Sequence, residues 1–134
     1  MFSVGAYQYF ADKPDMLGTL IPLVKKDGYI AISLNGLQYE IGKNVPEEMK
    51  PSWNDDVERT LHSLDWWKEL WSKENDIEIL DISEMPCHKQ TWDEWLESYR
   101  PDLPFADVVA EAIEMMKAQD GKYFNTIQLI AKVI

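Results

Sequence analysis

Two short apolar segments with one helix between them constrain this chain more than any other feature. Phe2-Ser3-Val4 is small or apolar throughout and reads as a strand buried on both faces. It runs into an aromatic loop, Tyr7-Gln8-Tyr9-Phe10. Asp12 can cap the next helix, and Pro14 suits its first turn. Met16, Leu17, Leu20, Ile21 and Val24 then recur at helical spacing. Pro22 lies inside that pattern, so the helix kinks there or splits in two. Lys25 and Lys26 favour a helix C-terminus, and Asp27-Gly28 ends it. Residues 29–34 form a second buried strand, bounded by Gly28 and Asn35-Gly36. Strand, helix and strand make a βαβ unit, whose strands run parallel with a right-handed crossover. Such a first strand normally has neighbours on both sides. With only Met1 before it, the series of βα units reads as entered at its midpoint.

The rest of the chain continues the α/β pattern. Residues 35–61 are the least regular, punctuated by Pro46 and Pro51, with Trp53 among polar neighbours. Long stretches without periodicity are functional or mobile. Ser63 can cap a helix over residues 64–73, with Leu64, Trp67 and Trp71 on one stripe. Residues 77–82 read as a third strand, in which Ile77 and Ile79 alternate before the step changes to Leu80 and Ile82. After Met85-Pro86 comes a helix with Trp92, Trp95, Leu96 and Tyr99, ended by Pro101. Another helix covers residues 104–119 and buries Phe105, Val108, Val109, Ala112, Ile113 and Met116. Residues 123–134 form a long last strand. It follows a helical pair rather than a single crossover, so it enters the sheet antiparallel. At 134 residues this is one domain.

Charge and cysteine usage narrow the partners. The formal net charge of -11 repels phosphate backbones and anionic head groups, which argues against nucleic acid and membrane surfaces. The single cysteine, Cys87, allows no intrachain disulfide and fits a reducing cytoplasm. There is no basic segment followed by a long apolar run at the N-terminus, and no apolar run of membrane-spanning length. Two histidines and one cysteine are too few for a structural zinc site, so no metal is expected. Nothing activates Cys87 as a nucleophile.

Several motifs carry a family resemblance. Tyr7-Gln8-Tyr9-Phe10 followed by Leu23-Val24-Lys25-Lys26-Asp27-Gly28-Tyr29-Ile30-Ala31-Ile32 resembles the second half of a class I S-adenosylmethionine-dependent methyltransferase. Leu61-His62-Ser63-Leu64-Asp65-Trp66-Trp67 is similar to a cyclopropane-fatty-acid-synthase-like subgroup. So are Cys87-His88-Lys89-Gln90-Thr91-Trp92-Asp93-Glu94-Trp95-Leu96 and Gly121-Lys122-Tyr123-Phe124-Asn125. The resemblance covers nearly the whole chain. It implies a partial Rossmann-like sheet of about four strands, mostly parallel with a C-terminal antiparallel strand, flanked by helices. It also implies S-adenosylmethionine as cofactor and a small-molecule methyl acceptor. The family's Gly-rich loop and ribose-binding acid have no counterpart, since the glycines at 5, 18, 28, 36, 42 and 121 form no cluster. Relatives often carry an acid and a histidine where this chain has Gly5 and Gln8.

The site residues follow from this. Tyr7, Tyr9 and Phe10 succeed a strand's carboxyl end, where open α/β sheets place ligands. The resemblance sets their loop between the methionine part of the cofactor and the substrate, with Tyr7 touching both; the same rings also suit core packing. His62 is the expected proton acceptor, or else a capping histidine. Trp53 and Trp66 are expected to wall the substrate pocket, while Trp67 and Trp71 belong to the core. A second reading makes the chain a non-catalytic half-domain, completed by a partner or by self-association. The first strand's unpaired edge and uncovered helix faces would then carry a homo-oligomer.

Overall fold

A computed structural model describes residues 1–98, 102, 104 and 106–134. The expectations for Tyr99, Pro101 and Phe105, and for the side chain of Val108, lie outside the described residues. The chain opens with β1 (Phe2–Val4), a 3-10 turn (Tyr7–Phe10), α1 (Met16–Leu20) and a second 3-10 turn (Ile21–Leu23). Then come β2 (Tyr29–Leu37), a 3-10 segment (Glu47–Ser52), α2 (Asp55–Thr60) and α3 (Leu64–Trp71). It closes with β3 (Ile77–Glu84), α4 (His88–Glu97), α5 (Ala106–Gln119) and β4 (Phe124–Val133). Pro22 splits the first helix as its missing N–H requires, and the helix ends at Leu23, short of the two lysines. Asp12 does not cap it. That carboxylate instead pairs with Arg59 at 3.3 Å. Ser63 does cap α3, its hydroxyl accepting from Trp66 N–H at 3.3 Å.

The four strands form one sheet in the order β1-β2-β4-β3. β1 and β2 pair in parallel, and β4 runs antiparallel to both β2 and β3. This is the expected α/β sheet with an antiparallel last strand. The change of step in β3 is a bulge. Ile79 faces Ala131 and Asp81 faces Ile130, leaving Leu80 over and exposed. β2 runs past Asn35-Gly36 to Leu37, because the antiparallel ladder with β4 continues to the Leu37–Phe124 pair.

The main core covers one face of the sheet. Ile30, Ile32 and Leu34 alternate toward it from β2, and Ile127, Leu129 and Ala131 do so from β4. Trp67 and Trp71 from α3 and Leu17 from α1 close over them. Each fully buried large side chain of this kind is worth about 1.5–3 kcal/mol. The other face is half open, so β2 is buried on one side only. β1 departs further from expectation. Phe2 is 77% exposed and Val4 63%, because β1 is an edge strand and no described helix covers that face. A second apolar cluster of Leu37, Ile41, Met49, Met116 and Phe124 sits at the end of β2, with Trp53 and Trp92 against it.

Gly36 is needed where β2 passes under the turn before α3. A Cβ there would lie 2.3 Å from Ile127 Cδ1 and 2.9 Å from the His62 carbonyl oxygen. Gly36→Ala should therefore lower stability by about 1–3 kcal/mol through overpacking, read as a drop in thermal midpoint.

Candidate functional site

β1 and β2 point their carboxyl ends the same way, and the pairing runs on past β1 because Gly5 N–H donates to Ser33 O at 2.8 Å. The chain then turns through the 3-10 segment. Positions three apart nearly eclipse in such a turn, so Tyr7 and Phe10 fall on one side. Their rings meet at 6.2 Å, while Gln8 and Tyr9 turn elsewhere. Opposite, β4 begins beside the ends of β2 and β3, and Thr126 there meets the start of α4. His88 Nδ1 lies 2.7 Å from Thr126 Oγ1.

These elements enclose a cavity of about 480 Å³, lined by Gln8, Tyr9, Asn35, His88, Trp92 and Met115 among others. A smaller hollow of about 240 Å³ between Gly5, Ser33, Met85 and Cys87 shares Asn35 and Trp92 with it. Together they occupy the carboxyl edge of the parallel strands, where open α/β sheets bind ligands.

Two polar side chains on the main cavity wall are buried and incompletely bonded. Gln8 Nε2 donates to Gly5 O at 3.0 Å, and Gln8 Oε1 has no partner among the described residues. His88 Nε2 also lacks one among the described residues. Burial lowers the His88 pKa below the usual imidazole value of 6.5, so the ring is uncharged at neutral pH.

Of the residues expected at the site, Tyr9 lines the cavity. The structure moves Tyr7 into the core. It is 4% exposed, with its ring 5.6 Å from Trp67 and 6.0 Å from Trp71. Burial pushes its hydroxyl up to about 12. Phe10 sits at the surface beside the Lys13 ammonium. Trp53 packs into the second apolar cluster.

His62 stacks on Trp66 with ring centroids 3.8 Å apart and planes within 10°. His62 Nδ1 lies 3.2 Å from Glu40 Oε2, and Nε2 lies 3.1 Å from Arg59 O. Both ring nitrogens thus face acceptors, and the ring braces a turn rather than presenting a lone pair to the cavity. Burial works to raise the Glu40 pKa, but hydrogen bonds from His62 and the Ser63 N–H outweigh it and hold the carboxylate below its ordinary range. Trp66 is the other half of this stack. His88, Gln8, Asn35 and Trp92 also line the cavity, and no spacing or motif in the sequence marks them for it. His88, beside Cys87, reads from sequence only as a metal ligand. Among the described residues no cluster of three His, Cys, Asp or Glu could hold a metal ion. No described helix is long and apolar enough to cross a membrane.

No protein-family model matches the chain, and no curated protein matches it. Solved structures do. The cyclopropane synthase MmaA2 from Mycobacterium tuberculosis aligns with 98% of this chain and 54% of its own at 14% identity, with a TM-score of 0.68. Phosphoethanolamine N-methyltransferase 2 of Haemonchus contortus, solved with S-adenosyl-L-methionine, aligns over 98% of this chain and 32% of its own at 14% identity and a TM-score of 0.66. A geranyl diphosphate methyltransferase solved with the same cofactor gives 99% and 50% at 13% identity and a TM-score of 0.63. The chain spans about half or less of the length of these structures. It has the fold of the C-terminal half of a class I methyltransferase, as its motifs imply.

A neutral, buried His88 makes stability depend on pH. Its folded pKa is below its unfolded one, so the unfolded state binds more protons as pH falls through 6.5. Wild type should lose stability between about pH 7.5 and about pH 5.5, and His88→Gln should lose less. Denaturant midpoints of both proteins at the two pH values check this.

Proposed function

We propose that this chain forms the acceptor side of a domain that transfers a methyl group from S-adenosylmethionine to a small molecule. The observation that carries this is the cavity of about 480 Å³ at the carboxyl ends of β1 and β2. It lies in a sheet shared with methyltransferases solved with that cofactor or its demethylated product. The volume is that of a small-molecule site. When bound, the cofactor supplies an electrophilic methyl group on a sulfonium.

The cofactor's nucleoside asks for features that these residues lack. A backbone cradle needs glycines in close approach, yet a Cβ at Gly5 would meet nothing within 4 Å. No acid among the described lining residues is free to hold ribose hydroxyls, since Asp56 pairs with Arg59 at 3.2 Å. The residues present fit the acceptor and not the nucleoside. What they do is hold and orient an acceptor. Tyr9, Trp92 and Met115 supply apolar walls that exclude water, and Gln8 and His88 fix a polar group. Orientation of this kind supplies a large part of the rate in bimolecular transfer. The exposed thiol of Cys87 suits a reducing compartment, and the cytoplasm is the proposed location.

A second reading, of a half-domain completed by self-association, is favoured by the β1 edge. Among the described residues β1 has β2 on one side and no strand on the other, and both Phe2 and Val4 are exposed. Open edges of this kind recruit strands. Light scattering at micromolar concentration should show dimers or larger species, and Val4→Pro, which removes an N–H facing away from β2, should shift them toward monomer. A wild-type protein that stays monomeric overturns this reading.

Methyl transfer is tested with methyl-labelled S-adenosylmethionine and a panel of phenols, amines, thiols and unsaturated acyl chains. The chain is assayed alone and with a polypeptide carrying a Gly-rich cofactor-binding half that itself binds the cofactor. Label should enter a small molecule only in the mixture. No transfer in the mixture, or label found in protein or nucleic acid, overturns the proposal. Transfer by the chain alone overturns the division between acceptor and nucleoside sides.

A further inference from the structure

Two buried polar side chains on the cavity wall, Gln8 and His88, each keep one atom without a partner among the described residues, and the wall's one described cation is already paired. We infer that the cavity takes a largely apolar small molecule that presents a hydrogen-bond donor to Gln8 and His88 and carries no phosphate or carboxylate. Calling that molecule the methyl acceptor rests on the methyl-transfer reading. The ligand class itself rests on the cavity.

Gln8 is 4% exposed, and its amide orientation is fixed. Its Nε2 donates to Gly5 O at 3.0 Å, and a flipped amide would set oxygen against oxygen. Oε1 is therefore an acceptor, buried and without a partner among the described residues. A buried acceptor left unbonded is costly, and a ligand N–H or O–H relieves it. His88 is 7% exposed, with Nδ1 on Thr126 Oγ1 at 2.7 Å. When Nδ1–H donates to that hydroxyl, Nε2 is a second acceptor without a partner among the described residues. Both side chains line the same cavity, whose other walls include Tyr9, Trp92 and Met115.

Anions find no counter-charge here. Arg59 is the one cation among the described lining residues. Its guanidinium is engaged by Asp12 at 3.3 Å and Asp56 at 3.2 Å, and Asp56 is itself on the wall. A phosphate or carboxylate would have to displace an aspartate from Arg59 inside a chain of net charge -11. An alcohol, phenol or amine displaces nothing.

The test titrates the intact chain with 2-naphthol, naphthalene, 2-naphthoate and 2-naphthyl phosphate, followed by the side-chain cross-peaks of Gln8 and Trp92 in nitrogen-edited NMR. 2-Naphthol should bind about tenfold or more tighter than each of the other three. Gln8→Leu should remove its advantage over naphthalene. The ring nitrogen shifts of His88 should report the tautomer protonated on Nδ1, an assignment that needs no variant to fold. Tightest binding by either anion overturns the inference, as does binding of none of the four. A preference unchanged in Gln8→Leu, or an Nε2-protonated His88, overturns the role given to that residue. If naphthol binds as expected while the label-transfer assay fails, the ligand class stands and the methyl-transfer reading falls.

Discussion

The antiparallel entry of β4 between β2 and β3 is the constraint on which the rest of this structure depends. Nine residue pairs join β2 to β4, from Tyr29–Lys132 to Leu37–Phe124, and β3 pairs along the other side. The direction of β4 decides what stands where. Its early residues, Phe124 and Thr126, lie beside the carboxyl ends of the two strands it separates. Its later residues, Leu129, Ala131 and Val133, face the core. A parallel last strand would have put those apolar residues at the ligand end. One strand thus supplies a core wall along its length and a seat for His88 at its start.

A second device holds the end of β2 to the start of α3. Leu37 N–H donates to the His62 carbonyl at 2.9 Å, and Leu37 forms a parallel bridge with Ser63. The Glu40 carboxylate accepts from the Ser63 N–H with one oxygen and faces His62 with the other. Trp66 stacks under His62, and Trp67 stands edge-on to Trp66 at 4.8 Å. The histidine of that motif is therefore a structural clasp. It fixes where α3 starts, and α3 in turn sets Trp67 and Trp71 against Tyr7.

Much of the fold was legible in the sequence because it follows from local chemistry. Pro22 had to break a helix, Ser63 was free to cap one, and the altered step at Leu80 was the trace of a bulge. The misjudged parts depend on tertiary pairing. Asn35-Gly36 reads as a turn, but the ladder to β4 carries the strand through it. Phe2 and Val4 read as doubly buried, but burial needs a covering layer and no described element lies over that face of β1. The helix over Asp55–Thr60 was hidden among prolines, though Asn54 caps it through Val57 N–H at 2.9 Å. At the candidate site, the rule that ligands gather at strand ends points to the loop from which Gln8 and Tyr9 line the cavity. It could not say which side of a 3-10 turn each residue takes. The period of three sends Tyr7 inward with Phe10 beside it, and leaves Gln8 and Tyr9 for the cavity.

The acidity of the chain and the neutrality of its cavity are connected. Most of the aspartates and glutamates lie on exposed faces, where water and salt screen them. Three that reach the interior or a cavity wall are matched by a donor. Asp81 on the half-open sheet face accepts from Ser83 at 2.7 Å and Gln128 at 2.6 Å, and these bonds hold it below its ordinary range. Asp56 is matched by Arg59, and Glu40 by Ser63 and His62. The cavity wall is left with uncharged polar groups, Gln8, Asn35 and His88 among them, inside a surface whose long-range field repels anions. Local pairing and global charge select against the same ligands. Gln8 Oε1 and His88 Nε2 are the buried atoms of this wall that pairing within the described chain leaves over, and the inferred ligand meets them with a donor and the rest of the wall by apolar contact.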